Sequence, residues 1–291
     1  MADQQSIIAL NIGSQRISMG VLAPTKKGLI LKKYAATSIL ADPATEAARI
    51  PQVKLAIKEL AKGLKVDKQK AAYALSGQSV FVRFVKLPPI EEDMDDLVRF
   101  EAQQNVPFPI DEVVWDWEKL ETDGIEQEVV LVAIKADSLN DLNSVVADTG
   151  LGTRLVDSAP TALYNSFRYN YPGLEECVLL LDIGAKTSNL IYADGKKFFT
   201  RSVSIGGANI TSAIAKEYNV SFVEAENSKL SSGLVTLGGS HADQLDDATA
   251  ALGTVVRNAL TRLTAEIQRT NTLFRSQQGG NAPQKVLLAG G

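Results

Sequence analysis

The sequence predicts an α/β protein made of two duplicated lobes, with a small α+β unit inserted into the first lobe. A strand, a glycine turn and a second strand occur twice, about 170 residues apart. A segment with strands and helices of its own interrupts the first copy. Hydrophobic residues make up 45% of the 291 residues, so the chain can bury a large core.

The first lobe begins with a predicted hairpin. "IIALNIG" and "RISMGVL" are β-rich runs around a Gly13–Ser14 turn, and "KKGLILKKYAATSI" supplies a third strand. "KAAYALSG" indicates a buried strand. Between them, apolar residues repeat at helical spacing, which predicts a helix: Val53, Ala56, Ile57, Leu60 and Leu64.

The inserted unit is predicted over about residues 78–155. "SVFVRFVKLP" alternates as a strand, and residues 91–105 suit an acidic amphipathic helix. The strands "EVVWDWEKL" and "QEVVLVAIK" and a helix over residues 137–149 follow. Trp115 and Trp117 lie on one face of their strand, where they either pack against a helix or line a groove.

The second lobe repeats the plan of the first. The helix "DSAPTALYNSFRYNY" leads to Pro172–Gly173, and the hairpin "CVLLLDIGAKTSNLIYAD" and the strand "KKFFTRSVSIGG" follow. Helices are predicted over residues 209–218, in "SFVEAENSKL", where Ser221 and Glu224 fit a capping box, and over residues 243–277. The strand "KVLLAGG" ends the sequence.

Composition excludes several functions. The 30 basic and 34 acidic residues are interspersed and give a net charge of −4, so nucleic-acid binding is not expected. One cysteine, Cys177, and one histidine, His241, exclude disulfides, Cys/His zinc sites and Ser-His-Asp catalysis with a spare base. No run approaches the roughly 20 apolar residues of a membrane span, and no signal peptide is expected, so we expect a cytoplasmic protein.

The two hairpins align residue by residue. "IIALNIGSQRISMGVL" over "VLLLDIGAKTSNLIYA" places Asn11 on Asp182 and Gly13 on Gly184. A turn of this kind can aim backbone N–H groups at an anion, and glycine lets phosphate oxygens approach closely. Two such turns and a terminal Gly-Gly predict a phosphate site, although P-loop and dinucleotide fingerprints are missing.

These residues resemble the actin-like ATPase superfamily, which has a duplicated ribonuclease H-like fold. "LNIGSQRISMGVL" is similar to its first phosphate motif, "LLDIGAKTSNLIYADGKKFFTRSVSIGGANIT" to its second, and "KVLLAGG" to the start of its adenosine motif. "VDSAPTALYNSF" lies where that superfamily has its first connecting helix. "VEAENSK" resembles the Glu and Lys positions that meet ribose and adenine.

Within the superfamily, the chain resembles the type IV pilus assembly PilM family, which is related to the division protein FtsA. "VRFVKLPPIEEDMDDLVRFEAQQNVPFPIDEVVWDWEKL" is similar to the inserted 1C subdomain of both. The resemblance implies a two-lobed actin-like fold in four subdomains: 1A over residues 1–77 and 156–175, 1C over residues 78–155, 2A over residues 176–206 and 253–291, and 2B over residues 207–252.

The resemblance also implies a function. The family is cytoplasmic, binds ATP or ADP with Mg²⁺ between two lobes, and docks the N-terminal tail of an inner-membrane PilN-like partner beside 1C. Through that partner the protein would lie at the inner membrane as part of a pilus or type II secretion-like assembly platform. Self-association stays open.

The site residues follow from the same resemblance. Asp182 would hold Mg²⁺ through water, and Asn11 would be a weaker metal ligand. The other predicted nucleotide contacts fall into four groups: Gly13, Ser14, Gly184, Lys186 and Thr187 at the phosphates; Gly206 and Gly207 at the approach of the second lobe; Glu226 and Lys229 at ribose and adenine; Gly290 and Gly291 at the adenosine. For Lys186 an exposed side chain, and for Glu226 and Lys229 a surface ion pair, are the alternatives.

Departures from the superfamily limit the expected chemistry. Asn11 replaces an aspartate, which weakens metal binding, and Ala159 replaces a glutamate that orients water, so at most weak ATPase activity is expected. The sequence stops at Gly291, which suggests an incomplete adenosine pocket. Alternatives are an FtsA-like membrane-tethered filament protein, a small-molecule kinase of the same fold, and a scaffold that no longer binds nucleotide.

Overall fold

A computed structural model describes residues 6–39, 46–89, 94–120, 125–195, 197–235 and 246–290. The strands are β1 (Ile7–Ile12), β2 (Arg16–Thr25), β3 (Gly28–Ser38), β4 (Lys70–Leu75), β5 (Phe81–Leu87), β6 (Val113–Lys119), β7 (Gln127–Lys135), β8 (Gly152–Ser158), β9 (Val178–Ile183), β10 (Ser188–Asp194), β11 (Lys197–Val203) and β12 (Lys285–Gly290). The helices are α1 (Glu46–Leu64), α2 (Met94–Asn105), α3 (Ala136–Ala147), α4 (Ala159–Asn170), α5 (Gly207–Tyr218), α6 (Phe222–Ser232) and α7 (Asp247–Gln277).

The first lobe is built on a sheet of order β3-β2-β1-β4-β8. β1, β2 and β3 form an antiparallel meander, while β4 and β8 run parallel to β1. Apolar side chains of β1 and β2 pack with α1 into one core, which includes the fully buried Ile8, Ile17 and Ile57. Burial of this face holds the β1–β2 hairpin in place, because a shift of one residue would turn every apolar side chain outward.

The inserted unit has a separate sheet of order β5-β7-β6, with β6 at one edge. α2 presents Met94, Val98 and Ala102 to one face of this sheet. Trp115 and Trp117 are partly buried against that cluster. The insertion therefore has its own small core.

Two predicted boundaries fall inside single elements. Residue 155 lies within β8, which pairs with β4 in the first-lobe sheet, and residue 252 lies within α7. Val146 and Leu151 also join the first-lobe core. A paired strand thus continues across the first position, and a single helix continues across the second.

The second lobe repeats the hairpin on a sheet of order β11-β10-β9-β12. β12 runs parallel to β9, and Ala289 pairs with Asp182. One face packs against α7 through Tyr192 and Phe274, whose ring centroids are 4.7 Å apart. The other face packs against α4 around Phe167 and Phe198. The predicted duplicated α/β fold with an inserted α+β unit is confirmed.

The helices of the second lobe begin at recognisable caps. The Ser221 side chain accepts from the amide of Glu224, and the Glu224 carboxylate accepts from the amide of Ser221, which confirms the capping box. α5 begins at Gly207, two residues before the predicted start. In the part of the chain that the structure describes, no helix is both long and apolar enough to cross a membrane.

Candidate functional site

The two glycine turns lie on opposite sides of one cleft of about 360 Å³. The first turn joins β1 to β2 in the first lobe, and the second joins β9 to β10 in the second lobe. Of the predicted site residues, the following line the cleft: Asn11, Gly13, Ser14, Asp182, Gly184, Lys186, Thr187 and Gly290. Lys186 is exposed. Residues far apart in sequence therefore share one site.

The first turn requires glycine for close backbone packing. The Gly13 amide donates to the Arg16 carbonyl at 3.0 Å, and a Cβ on Gly13 would lie 2.6 Å from that oxygen. Any side chain at this position would push the two strands apart. Glycine is therefore required here for closure of the hairpin, and its predicted contact with phosphate stays a prediction.

Donors outside the cleft engage the carbonyl groups of the first turn. Arg49 on α1 donates from Nη2 to the Gly13 carbonyl at 2.8 Å and from Nε to the Ser14 carbonyl at 3.0 Å. The Ile39 amide donates to the Gln15 carbonyl at 2.7 Å. The guanidinium group of Arg49 thus orients the turn from the side away from the cleft.

The second turn has the same internal bond and a different support. The Gly184 amide donates to the Thr187 carbonyl at 2.9 Å. The amides of Gly207 and Ala208, at the start of α5, donate to the carbonyls of Gly184 and Ala185 at 2.9 and 2.7 Å. The positive end of the α5 dipole therefore supports this turn, as Arg49 supports the first.

Gly206 and Gly207 lie behind the second turn. A Cβ on Gly206 would be 2.4 Å from the Gly184 carbonyl oxygen and 2.6 Å from that of Ala185. The double glycine therefore lets α5 approach the turn. The predicted contact of these two residues with nucleotide stays a prediction.

Asp182 is the next-to-last residue of β9 and is half-buried in the cleft. Asn189 pairs with Asp182 across the hairpin, and its Nδ2 donates to Asp182 Oδ2 at 2.8 Å. Asn11 occupies the equivalent position of the first hairpin and pairs with Ser18. A carboxylate and an amide oxygen thus line one cleft. Such a donor set suits Mg²⁺, which keeps several water ligands and takes few protein ligands.

Glu226 and Lys229, both on α6, form a largely buried ion pair on the side of that helix that faces α5. Lys229 Nζ lies 2.7 Å from Glu226 Oε2 and donates to Thr211 Oγ1 at 2.9 Å and to the Gly207 carbonyl at 3.3 Å. The side chains are 16% and 12% exposed for lysine and glutamate. The pair ties α6 to the first turn of α5, and its predicted contact with ribose and adenine stays a prediction.

Gly290 lies beside the second turn with φ at +109°, in the region that favours glycine. A Cβ there would lie 2.1 Å from the Ile183 carbonyl oxygen. The strand β12 therefore brings its end to the cleft. Gly291 lies outside the described residues.

The structure adds residues that sequence reasoning missed. Arg16, Tyr34, Ser76 and Asn189 line the cleft, and Arg49 supports it. Asn189 could have been found from the hairpin alignment, because it faces Asp182 at the position that Ser18 takes in the first hairpin. The sequence contains no comparable signal for Arg49, which reaches the turn from a separate helix.

A second cavity, which we call the groove, lies between the inserted sheet, β8 and α4. It measures about 440 Å³ and has mostly apolar walls. β6 contributes Val114 and Asp116, β7 contributes Val132, and α4 contributes Tyr164. The edge strand β6 therefore runs along an open apolar surface.

Cysteine-based catalysis and a metal centre made of several histidine, cysteine or acidic side chains have little support among the described residues. Cys177 is 2% exposed, and burial, together with the charge of Asp194, raises the pKa of its thiol to about 11. The thiol is therefore protonated at neutral pH and unsuited to nucleophilic attack. Among the described residues, no group of three or more histidine, cysteine or acidic side chains could hold a metal ion.

Solved structures share this architecture. A structure described as a PilM-PilN type IV pilus biogenesis complex matches with a TM-score of 0.78 and 25% identity, over 99% of this chain and 82% of that chain. The ethanolamine utilization protein EutJ of Carboxydothermus hydrogenoformans matches with a TM-score of 0.54 and 15% identity, over 99% and 76%. MreB5 of Spiroplasma citri bound to AMPPNP matches with a TM-score of 0.53 and 12% identity, over 99% and 85%.

The last two likenesses concern the fold alone. They confirm the actin-like architecture that the resemblance of the two hairpins implies. The family model for the type IV pilus assembly protein PilM matches residues 9–291, nearly the whole chain. Together with the site geometry and the inserted sheet, this match shows that the chain belongs to the type IV pilus assembly protein PilM family.

Proposed function

We propose that this protein binds ATP or ADP together with Mg²⁺ in the cleft between its two lobes. The observation that carries the proposal is the convergence of two glycine turns, one from each duplicated hairpin, on a cleft that also contains Asp182. The fold likeness to an MreB protein whose structure contains AMPPNP supports the same ligand class. Phosphate oxygens would meet the turns, and Gly290 would lie near the adenosine.

The electrostatics of the turns favour an anion. Arg49 and the amides that begin α5 hold four turn carbonyls from outside the cleft. The carbonyl oxygens, which are the negative ends of the peptide dipoles, therefore point away from the space in which a phosphate would bind. Arg16 and Lys186 add positive charge at the cleft wall.

Mg²⁺ would neutralise phosphate charge in this cleft. Asp182 is placed to hold it through water, and Asn11 offers a neutral oxygen from the opposite lobe. Because one of the two positions lacks charge, we expect weaker metal binding than with two aspartates.

Hydrolysis is proposed to be slow or absent. Asp182 is the one carboxylate among the described residues that line the cleft, and Ala159 occupies the wall at the start of α4. If Asp182 holds the metal, these residues supply no second carboxylate to orient an attacking water. The cleft therefore suits nucleotide binding better than turnover.

Calorimetry tests the nucleotide proposal. We expect Mg·ATP to bind the complete chain, and Asp182→Ala to weaken binding in Mg²⁺ by about tenfold or more, equivalent to roughly 1.4 kcal/mol. In EDTA the two proteins should bind ATP alike. Absence of binding heat for the unchanged chain would exclude the proposal, and equal loss in EDTA would contradict the metal role of Asp182.

The second part of the proposal is that the groove docks the N-terminal tail of a PilN-like inner-membrane protein. The solved relative at 25% identity is described as a complex with PilN. The groove offers apolar walls and the edge strand β6, to which an extended segment can add backbone hydrogen bonds. Docking would place the protein on the cytoplasmic side of an inner-membrane assembly.

The negative charge of the groove wall favours the N-terminal tail of an inner-membrane protein as the ligand. Asp116 and Glu118 lie on the groove wall beside Val114. Cytoplasmic segments next to membrane spans carry an excess of lysine and arginine. A tail with apolar anchors and a few basic residues therefore complements the groove.

A matched pair of substitutions tests the docking. Val114 in the groove is 50% exposed, and Val223 on α6 is 40% exposed, so both valines should accept aspartate without unfolding the protein. We expect Val114→Asp to weaken binding of the partner's N-terminal peptide by at least about tenfold and Val223→Asp to leave it unchanged. Equal binding by both variants would place the tail elsewhere.

A further inference from the structure

An ammonium group lies at the first turn of α5, although that turn has no charged side chain of its own. Lys229 reaches it from α6. Its Nζ lies 2.7 Å from Glu226 Oε2, and it donates to Thr211 Oγ1 at 2.9 Å and to the Gly207 carbonyl at 3.3 Å. A lysine ammonium group has three donors, so these three acceptors occupy all of them.

Thr211 completes this arrangement inside the protein. Its side chain is fully buried, and its hydroxyl lies 3.0 Å from the Gly207 carbonyl oxygen on the same helix and also bonds to the Glu226 carboxylate. The side chains of Glu226 and Lys229 are largely buried as well. Buried charges need such partners, because leaving water penalises them. The group of Thr211, Glu226 and Lys229, which we call the α5 clamp, therefore fixes α6 against the first turn of α5.

The first turn of α5 holds the second glycine turn through main-chain groups. The Gly207 amide donates to the Gly184 carbonyl at 2.9 Å, and the next amide, of Ala208, donates to the Ala185 carbonyl at 2.7 Å. Gly206 and Gly207 have no side chain that could anchor this contact. The position of the α5 backbone therefore decides where the two carbonyls lie, and the α5 clamp holds that backbone at the Gly207 carbonyl.

The α5 clamp lies apart from the cleft. The described residues that line the cleft include Gly184 and Thr187 and none of the three residues of the clamp. Sequence resemblance implies that Glu226 and Lys229 meet ribose and adenine. The structure directs the three donors of Lys229 at α5 and at Glu226. A direct contact with adenosine would require Lys229 to give up at least one of these bonds.

We propose that Thr211, Glu226 and Lys229 are positioning residues for the second glycine turn, and that they act through α5 on the binding of phosphate groups. The inference rests on the proposed function, because it concerns the same cleft. It differs from an adenosine contact in its consequence. A residue that positions the turn affects every ligand with the same phosphate groups, whether or not the ligand has a base and a ribose.

Calorimetry with Mg·ATP and Mg·tripolyphosphate separates the two roles, because tripolyphosphate has neither base nor ribose. We expect Lys229→Met to weaken the binding of both ligands by about tenfold. Lys216→Met removes an exposed charge from α5 and should leave both affinities within about twofold. A loss confined to Mg·ATP would assign Lys229 to adenosine and overturn the proposal, as would unchanged affinity for both ligands.

Thr211→Val is a second variant that keeps both charges of the α5 clamp. Valine has nearly the shape of threonine without its hydroxyl, and a fully buried side chain at this position does not reach a ligand in the cleft. We expect the binding of both ligands to weaken by about threefold. Thr254→Val is the control, because its exposed hydroxyl donates to the Ala250 carbonyl of its own helix, α7. Equal affinities for the two threonine variants would contradict the role of the clamp.

Hydrogen exchange in the ligand-free protein keeps this inference distinct from the proposed function. We expect Lys229→Met to speed exchange of the Gly207 and Ala208 amides severalfold, and to leave the amides of β1, in the other lobe, at their original rates. Unchanged exchange at α5, or equal acceleration in β1 through a general loss of stability, would overturn the positioning role. Faster exchange at α5 alone, without binding heat for the unchanged protein, would support the positioning role and count against the nucleotide proposal.

Discussion

The two glycine turns have the same backbone hydrogen bond and are held by different groups. Each begins with a glycine whose amide donates to the carbonyl three residues later, at 3.0 Å for Gly13 and 2.9 Å for Gly184. In the first lobe the Arg49 side chain holds the outer carbonyls, and in the second lobe the amides that begin α5 hold them. The side chains before the two turns are Asn11 and Asp182.

The backbone conformation of the two turns and the charge that stands beside them are therefore separable features of the site. Both lobes keep the glycine turn, because the hairpin cannot close around a side chain there. The carboxylate and its supporting amide, Asn189, are found in the second lobe, opposite Asn11 and Ser18 in the first. The second lobe therefore carries the carboxylate of the cleft, and the first lobe carries the arginine that holds its turn.

The largest effect is expected when the support of the second turn is removed. A Cβ on Gly206 would lie 2.4 Å from a backbone carbonyl, so Gly206→Ala must move α5 or the turn. We expect the free energy of unfolding to fall by about 2 to 4 kcal/mol in urea denaturation.

Gly63 provides the control for this substitution. It lies in α1 with no atom within 4 Å of an added Cβ, so Gly63→Ala should change the free energy of unfolding by no more than about 1 kcal/mol. If Gly206→Ala were as stable as Gly63→Ala, the close approach of α5 would not be a requirement of the fold.

A smaller effect is expected on removing the support of the first turn. Arg49→Met deletes two charge-assisted hydrogen bonds to the turn carbonyls, so Mg·ATP affinity by calorimetry should fall by about tenfold. Lys58→Met removes an exposed charge from the same helix and should leave affinity unchanged. Equal affinities for the two variants would show that the Arg49 fork does not order the turn for nucleotide.

The smallest effect is expected when the first lobe is made to resemble the second. Asn11→Asp adds a second carboxylate to the cleft, which should raise Mg²⁺-dependent ATP affinity about fivefold, the effect of roughly 1 kcal/mol. The gain should disappear in EDTA. Asn227→Asp, on the exposed face of α6, adds the same charge elsewhere and should have no effect. A gain that persists in EDTA would contradict a metal in the cleft.

Much of the fold could be predicted because it depends on local patterns. The alternation of "SVFVRFVKLP", the helical spacing from Val53 to Leu64 and the Ser221–Glu224 box specify elements that the structure contains. The alignment of the two hairpins also identifies Asn11 and Asp182 as equivalent positions. These inferences use short-range backbone and burial preferences, which the sequence records directly.

The supports of the site could not be predicted, because they join residues distant in sequence. Arg49 reaches a turn 35 residues earlier in the chain. Ser202 joins the second hairpin to the Gly77 turn of the other lobe, and Glu226 and Lys229, which resemble nucleotide contacts, bond to each other and to α5. Such partners depend on where helices and loops pack, and no regular spacing of residues in the sequence indicates which of them will meet.

The duplicated hairpins, the inserted unit and the uncharged side chain of Asn11 can all be recognised from residue types and their spacing. Only packing in three dimensions places the two turns on one cleft and gives each a different positive group as its support. Tertiary packing also places Asn189 between Asp182 and Ser202, beside the Gly77 turn of the first lobe. The physical reason is that hydrogen bonds form between atoms at contact distance, and the packed fold sets those distances.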